Sequence, residues 1–305
     1  MNRMDWTSRC LGIALALAMA ACSDGSGLLP GSADLAGIPP GSDLANMQSQ
    51  PDLAPAGPAD LAVPTQHFSF FVTSLRALQE LSKSSQGFGG DLRFGEVGPG
   101  AGLRGADKIC ATIAERSLPG AGLKPWRAFL SATADENGNQ VNAIDRIGQG
   151  PWYDRLGRLV AMNRTNILTE RPTGADPAII NDLPNEDGVP NHRPDQTQGQ
   201  VDNHDTLTGT NSKGMLYSKT ATCLDWTSAK GDRAAEGKPR VGHCWPRFGG
   251  PGMGDGSMAN WMSSLDESGC APGVNLIETG PPMQNAVTVG SGGGYGGFYC
   301  FSLVP

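Results

Sequence analysis

The sequence predicts an α+β domain with one principal early helix, short strands and long glycine-rich loops, stabilised by disulfides. Three observations predict it. A single clear amphipathic helical pattern occurs early, runs short enough for strands recur from residue 68 to the C-terminus, and 43 Gly and 23 Pro interrupt the chain. Strand and helix patterns do not alternate as repeated units, which disfavours a Rossmann-like or barrel enzyme.

The chain begins with Arg3 and Arg9, then the apolar run Leu11–Ala21, then Cys22. A basic start, a short apolar stretch and small residues before a cut form an export signal, and the stretch is too short for a bilayer span. Met19-Ala-Ala-Cys22 resembles the lipoprotein processing box, in which the cysteine thiol receives a diacylglycerol. We therefore expect residues 1–21 to be a signal peptide. Cys22 is then the lipidated residue, joining the protein to the membrane of a bacterial cell envelope; Ser23 favours the outer membrane. Residues 22–64 repeat Asp-Leu-Ala among prolines and glycines without an aromatic. Such a segment buries too little apolar area to offset ordering entropy and reads as a tether. The domain is assigned to residues 65–305.

Within it, Phe68–Thr73 is aromatic and β-branched, as a strand requires. Leu75, Leu78 and Leu81 fit a short helix, after which glycines at 87, 89, 90, 95, 98, 100, 102 and 105 break any long element. Ala106–Leu118 is the clearest helix, with Ile109, Cys110, Ile113 and Ala114 on one face and Pro119-Gly120 at its end. Trp126–Ser131 alternates like a half-buried strand, and Asn137-Gly138 marks a turn. Short apolar pieces follow at 144–147, 152–153, 156–162 and 167–168, then a polar loop over 171–213. Tyr295–Leu303 is a terminal strand led in by Gly292–Gly294. In so glycine-rich a domain, Trp126 and Trp226 are expected to supply core.

With Cys10 removed and Cys22 lipidated, Cys110, Cys223, Cys244, Cys270 and Cys300 remain. In an oxidising compartment these form two bridges and leave one thiol; spacing does not fix which.

Three islands carry a family resemblance. Gly105-Ala-Asp-Lys-Ile-Cys110 with Trp126–Ser131, Cys223-Leu-Asp-Trp-Thr-Ser228, and Cys270 with Phe298-Tyr-Cys-Phe301 resemble the endostatin-like variant of the C-type-lectin fold. That variant occurs in collagen-derived endostatin and in bacterial endostatin-like lipoproteins, including leptospiral surface proteins. The resemblance implies a C-type-lectin-like domain with nested bridges Cys110–Cys300 and Cys223–Cys270. Cys244 is then the unpaired thiol, or else it replaces Cys270 as the partner of Cys223. It also implies adhesion to an extracellular protein or glycan. The calcium-dependent lectin signatures are missing, and neither the histidine zinc site nor the heparin-binding arginines of endostatin carry over to this acidic chain, of net charge -7.

Charge of both signs is interspersed without a basic stripe, which argues against a nucleic-acid partner. The acidic segment from Asn181 to Asp205 offers calcium oxygen ligands at Asp182, Asp187, Asp202 and Asp205. His192, His204, Asp195 and Asp202 offer a transition-metal alternative. Cys244 invites comparison with a nucleophile activated by His192 or His204, but no catalytic residue is assigned. The leading expectation is a lipid-anchored cell-envelope binding or adhesion module. The alternatives are a structural envelope lipoprotein and a Cys- or metal-dependent enzyme.

Overall fold

The last strand organises the domain. In the computed structural model, which describes residues 67–192, 203–245, 260–277, 282 and 285–305, β8 (Gly294–Ser302) is the longest strand and is buried along its whole length. Its C-terminal half pairs antiparallel with β1 (Phe70–Val72) on one side, Phe71 facing Cys300, and with β2 (Trp126–Ala128) on the other, Ala128 also facing Cys300. Its N-terminal half pairs in parallel with β5 (Asp205–Leu207). From β5 the sheet continues antiparallel through β6 (Arg240–His243) to β7 (Leu265–Asp266), giving the order β1-β8-β5-β6-β7 with β2 beside β8. A separate two-stranded sheet pairs β3 (Trp152–Tyr153) with β4 (Leu159–Ala161). The signal segment, Cys22, the tether, Asp195 and Asp202 lie outside the described residues.

Alternation along β8 divides the core. Phe298 and Cys300 point into one cluster with Phe71, Trp126, Ile109 and Trp226, while Tyr299 and Phe301 point into the other with Phe70, Phe129, Trp152 and Trp261. Successive side chains on a strand leave opposite faces, so one strand serves two cores. Trp126 and Trp226 are core, as expected, and Trp152 and Trp261 are buried with them.

The α+β class holds, but the expectation of one principal early helix in a C-type-lectin-like architecture does not. Among the described residues there are six α-helical segments and an open, mixed sheet. These are α1 (Leu75–Ser82), α2 (Ala101–Ser117), and the one-turn segments α3 (Ala143–Arg146), α4 (Arg164–Ile167), α5 (Cys223–Trp226) and α6 (Arg233–Glu236). Four residues are too few for a 3.6-residue period to show in sequence. Local caps start these turns instead: Asn163, Thr222 and Asp232 each accept a hydrogen bond from a backbone N–H of the following turn. The polar stretch 171–213 also contains a strand, β5, in the middle of the sheet.

Helix α2 begins five residues before the predicted start, at Ala101 rather than Ala106. Gly102 and Gly105 lie inside it as packing positions. A Cβ at Gly102 would sit 2.1 Å from the Asp225 carbonyl, and one at Gly105 2.1 Å from that of Arg93. The helix is tied to the sheet by the Cys110–Cys300 bridge, and α5 to the loop after β7 by Cys223–Cys270. Cys244 is a free, buried thiol, so Cys223–Cys244 does not form. No helix among the described residues is long and apolar enough to cross a membrane.

Candidate metal centre

Pairing of β5 with β6 sets Asp205 directly opposite His243. His204 precedes Asp205, and neighbours in an extended chain ordinarily point apart. Here the backbone curls: the N–H groups of both His204 and Asp205 donate to the Gly293 carbonyl, at 2.8 and 3.1 Å. The β5–β8 register shifts at the same place. The curl swings His204 round, so its Nε2 stands 3.6 Å from Asp205 Oδ1, while His243 Nε2 stands 3.0 Å from the same oxygen. One ligand atom from each of the three residues falls within a 4.8 Å cluster, and all three residues are buried. The imidazole rings meet edge to face with centroids 4.1 Å apart, and Trp245 packs edge-on to His204.

The supporting shell is polar and ordered. His243 Nδ1 shares a 3.3 Å hydrogen bond with Ser264 Oγ, which leaves Nε2 turned to Asp205. Glu267, just after β7, is fully buried, and its carboxyl feels the charge of Asp205. Its Oε2 accepts from Ser291 Oγ at 2.5 Å and from the Gly292 N–H at 2.8 Å. Ser291 Oγ in turn accepts from the Ser268 N–H at 2.8 Å. Neither Asp205 oxygen receives a well-directed hydrogen bond, and Glu267 Oε1 receives none. Burial, then the Asp205 charge, pushes Glu267 well above the usual carboxylate range. Burial also pushes Asp205 up, but His204, His243 and Glu267 together outweigh it and hold Asp205 below its ordinary value.

Of the four aspartates offered for calcium, the three among the described residues do not converge. Asp187 faces solvent against Arg76 at 2.8 Å, Asp182 binds His192 Nδ1, and only Asp205 joins the buried cluster. Asp202 lies outside the described residues. What the described residues bring together instead is a potential metal-coordinating triad of two imidazoles and one carboxylate. Imidazole nitrogen suits transition ions, whereas calcium takes oxygen. Of the transition-metal alternative, His204 belongs to the triad and His192 does not.

Cys244 is placed poorly for nucleophilic chemistry. Burial, reinforced by the Asp182 charge, pushes its thiol up to about 12, so it stays protonated at neutral pH. Of its proposed activators, His192 turns its Nδ1 to Asp182 and His204 faces Asp205.

Sequence reasoning missed Glu267, Ser291 and Gly292, and considered His243 only beside Cys244. Their one sequence signal is chemical type, because the candidate ligands come from separate elements without characteristic spacing. No protein-family model matches the chain, and no curated protein matches it.

Proposed function

We propose that this domain is a metal-binding module of an exported, lipid-anchored envelope protein, holding a divalent transition ion between His204, Asp205 and His243. The observation that carries this reading is the approach of two imidazole nitrogens to one Asp205 oxygen, at 3.0 and 3.6 Å, in a fully buried place. Ligands about 2.0–2.2 Å from a tetrahedral ion stand roughly 3.3 Å from one another. A buried carboxylate without well-directed donors is costly unless a cation or proton compensates it. The Ser264 contact supports the same reading, since a metal-binding histidine commonly uses its second ring nitrogen to fix its orientation. When bound, such an ion supplies a concentrated positive charge to whatever oxygen ligand reaches it.

Of the alternatives to adhesion, the metal-dependent one gains support from these contacts and the cysteine-dependent one does not. Anchoring through Cys22 rests on the sequence.

The test is metal retention by the mature chain. After stripping with a chelator and dialysis against Zn(II), Mn(II) or Fe(II), the protein should retain one ion per chain. His204→Ala and His243→Ala should each abolish stoichiometric retention. Equal retention by wild type and both variants would overturn the reading.

A further inference from the structure

One peptide group stands behind both imidazoles of the triad. Its carbonyl belongs to His243 and its N–H to Cys244, and that N–H donates to the His204 carbonyl at 2.9 Å. Strand β6 ends at His243. There the His243 N–H turns to the Asn260 carbonyl at 3.1 Å, and the Asp205 N–H opposite it turns to Gly293. A carbonyl at such an end still needs a donor. Arg171, in the stretch after α4, supplies it from a half-buried position. Its Nη1 donates to the His243 carbonyl at 2.6 Å, its Nη2 to the Cys244 carbonyl at 2.7 Å and its Nε to the Ile180 carbonyl at 2.9 Å.

We propose that Arg171 is a positioning residue of the metal centre, fixing the peptide group between His243 and Cys244 so that His204 and His243 converge on one ion. The proposal rests on the metal reading above and adds a residue that acts through the main chain.

Planarity of the peptide group argues for it. Its C=O and N–H lie in one plane, so a rotation that takes the carbonyl off Arg171 also takes the N–H off His204. Both imidazoles would move together. A metal site tolerates only about 0.2 Å in its ligand distances, so a rotation of this kind costs affinity. The chemistry of the side chain argues for it as well. A guanidinium presents its donors in a rigid planar fork, which holds two successive carbonyls in one mutual orientation, whereas a lysine ammonium is a single point donor. The Leu183 N–H donates to the Cys244 carbonyl at 3.1 Å, so the stretch from Arg171 to Leu183 meets the end of β6 at two places.

A second anchoring arginine separates positioning from general support. Arg146 donates to the Ala128 carbonyl and, at 2.8 Å, to both Asp107 oxygens, and so serves β2 instead of β6. Arg171→Met in the mature chain should weaken Zn(II) binding by roughly 10–100-fold, the cost of losing an outer-sphere partner. It should also shift the visible bands of the Co(II)-loaded protein, and Arg171→Lys should restore neither fully. Arg146→Met should lower the urea midpoint while keeping wild-type Zn(II) affinity and Co(II) bands. Wild-type affinity and bands in Arg171→Met, or equal weakening in both methionine variants, would overturn the proposal and leave the triad standing. The wild type alone decides if Arg171→Met does not fold. Coupling between two sites is reciprocal, so Zn(II) must slow solvent exchange of the Arg171 Nε–H, followed by NMR; an unchanged rate overturns the proposal. If wild type binds neither ion, the metal reading fails and this proposal with it.

Discussion

His243 Nε2 lies 3.0 Å from Asp205 Oδ1 across a directly paired position of two adjacent antiparallel strands, with both residues buried. A sheet interior is a costly place for a carboxylate, and this one is compensated by two imidazoles and by Glu267. Removing it leaves those partners buried without their counterpart. Asp205→Ala is therefore expected to lose stoichiometric zinc retention and about 3–5 kcal/mol of stability. Equilibrium dialysis and urea unfolding read the two effects separately. Loss of stability with full retention of zinc would mean that Asp205 is structural and not a ligand.

Cys244 gives a second expectation. Its thiol is buried and raised to about 12, so at pH 8 the nucleophilic thiolate is scarce and shielded. Alkylating reagent should leave Cys244 unmodified in the native protein and modify it at once in denaturant, as peptide mass mapping would reveal. Fast native labelling would reopen a cysteine-based chemistry.

The acid-side stability profile should carry the mark of Glu186. This residue accepts from the Ser74 N–H at 3.0 Å and Ser74 Oγ at 2.5 Å, yet burial outweighs those donors and raises its carboxyl above the ordinary value of 4.5. The native state thus keeps a proton that the unfolded chain has already released. Its contribution is fully present below pH 4.5 and is lost as pH rises through the higher folded value. Asp107 and Glu267 shift in the same direction, so Glu186 is isolated only by comparison. The difference in urea midpoint between wild type and Glu186→Gln should change across that window. Parallel profiles would contradict the assignment.

Long periodic elements were legible in the sequence. Leu75, Leu78 and Leu81 marked α1, and Ile109, Cys110 and Ile113 marked α2, because each set repeats over more than one helical turn. The start of α2 was not legible, since Gly102 and Gly105 look like breakers until the carbonyls of Asp225 and Arg93 are seen against them. Strand β5 was hidden in a polar stretch because Asp205 and Thr206 face polar partners rather than aliphatic core. His204 and Asp205 were singled out, but in separate candidate sets and not with His243. Which histidine and which carboxylate meet is decided by strand register, and no local pattern encodes the pairing of residue 205 with 243.

The turn Cys223–Trp226 supplies the last expectation. Its four residues have φ of 51, 55, 55 and 64°, a run of left-handed backbone without a glycine. Each such residue costs roughly 1–2 kcal/mol, so the surroundings must hold the turn. The Asp225 carboxylate accepts from the Thr133 N–H at 2.6 Å, Thr133 Oγ1 at 2.5 Å and the Ala134 N–H at 3.2 Å. Trp226 Nε1 donates to the Ser131 carbonyl at 2.8 Å, and Cys223 is bridged to Cys270. Leu224 alone contributes little, with its side chain half exposed. Leu224→Gly should therefore relieve strain and, after the extra entropy of glycine in the unfolded chain, stabilise the domain by about 1 kcal/mol. Asp225→Ala should do the opposite, because it leaves the part-buried donors at Thr133 and Ala134 without their acceptor and costs about 1 kcal/mol. Urea unfolding of both variants tests the pair. If Leu224→Gly destabilised the domain, the left-handed backbone at that position would not be the source of strain inferred here.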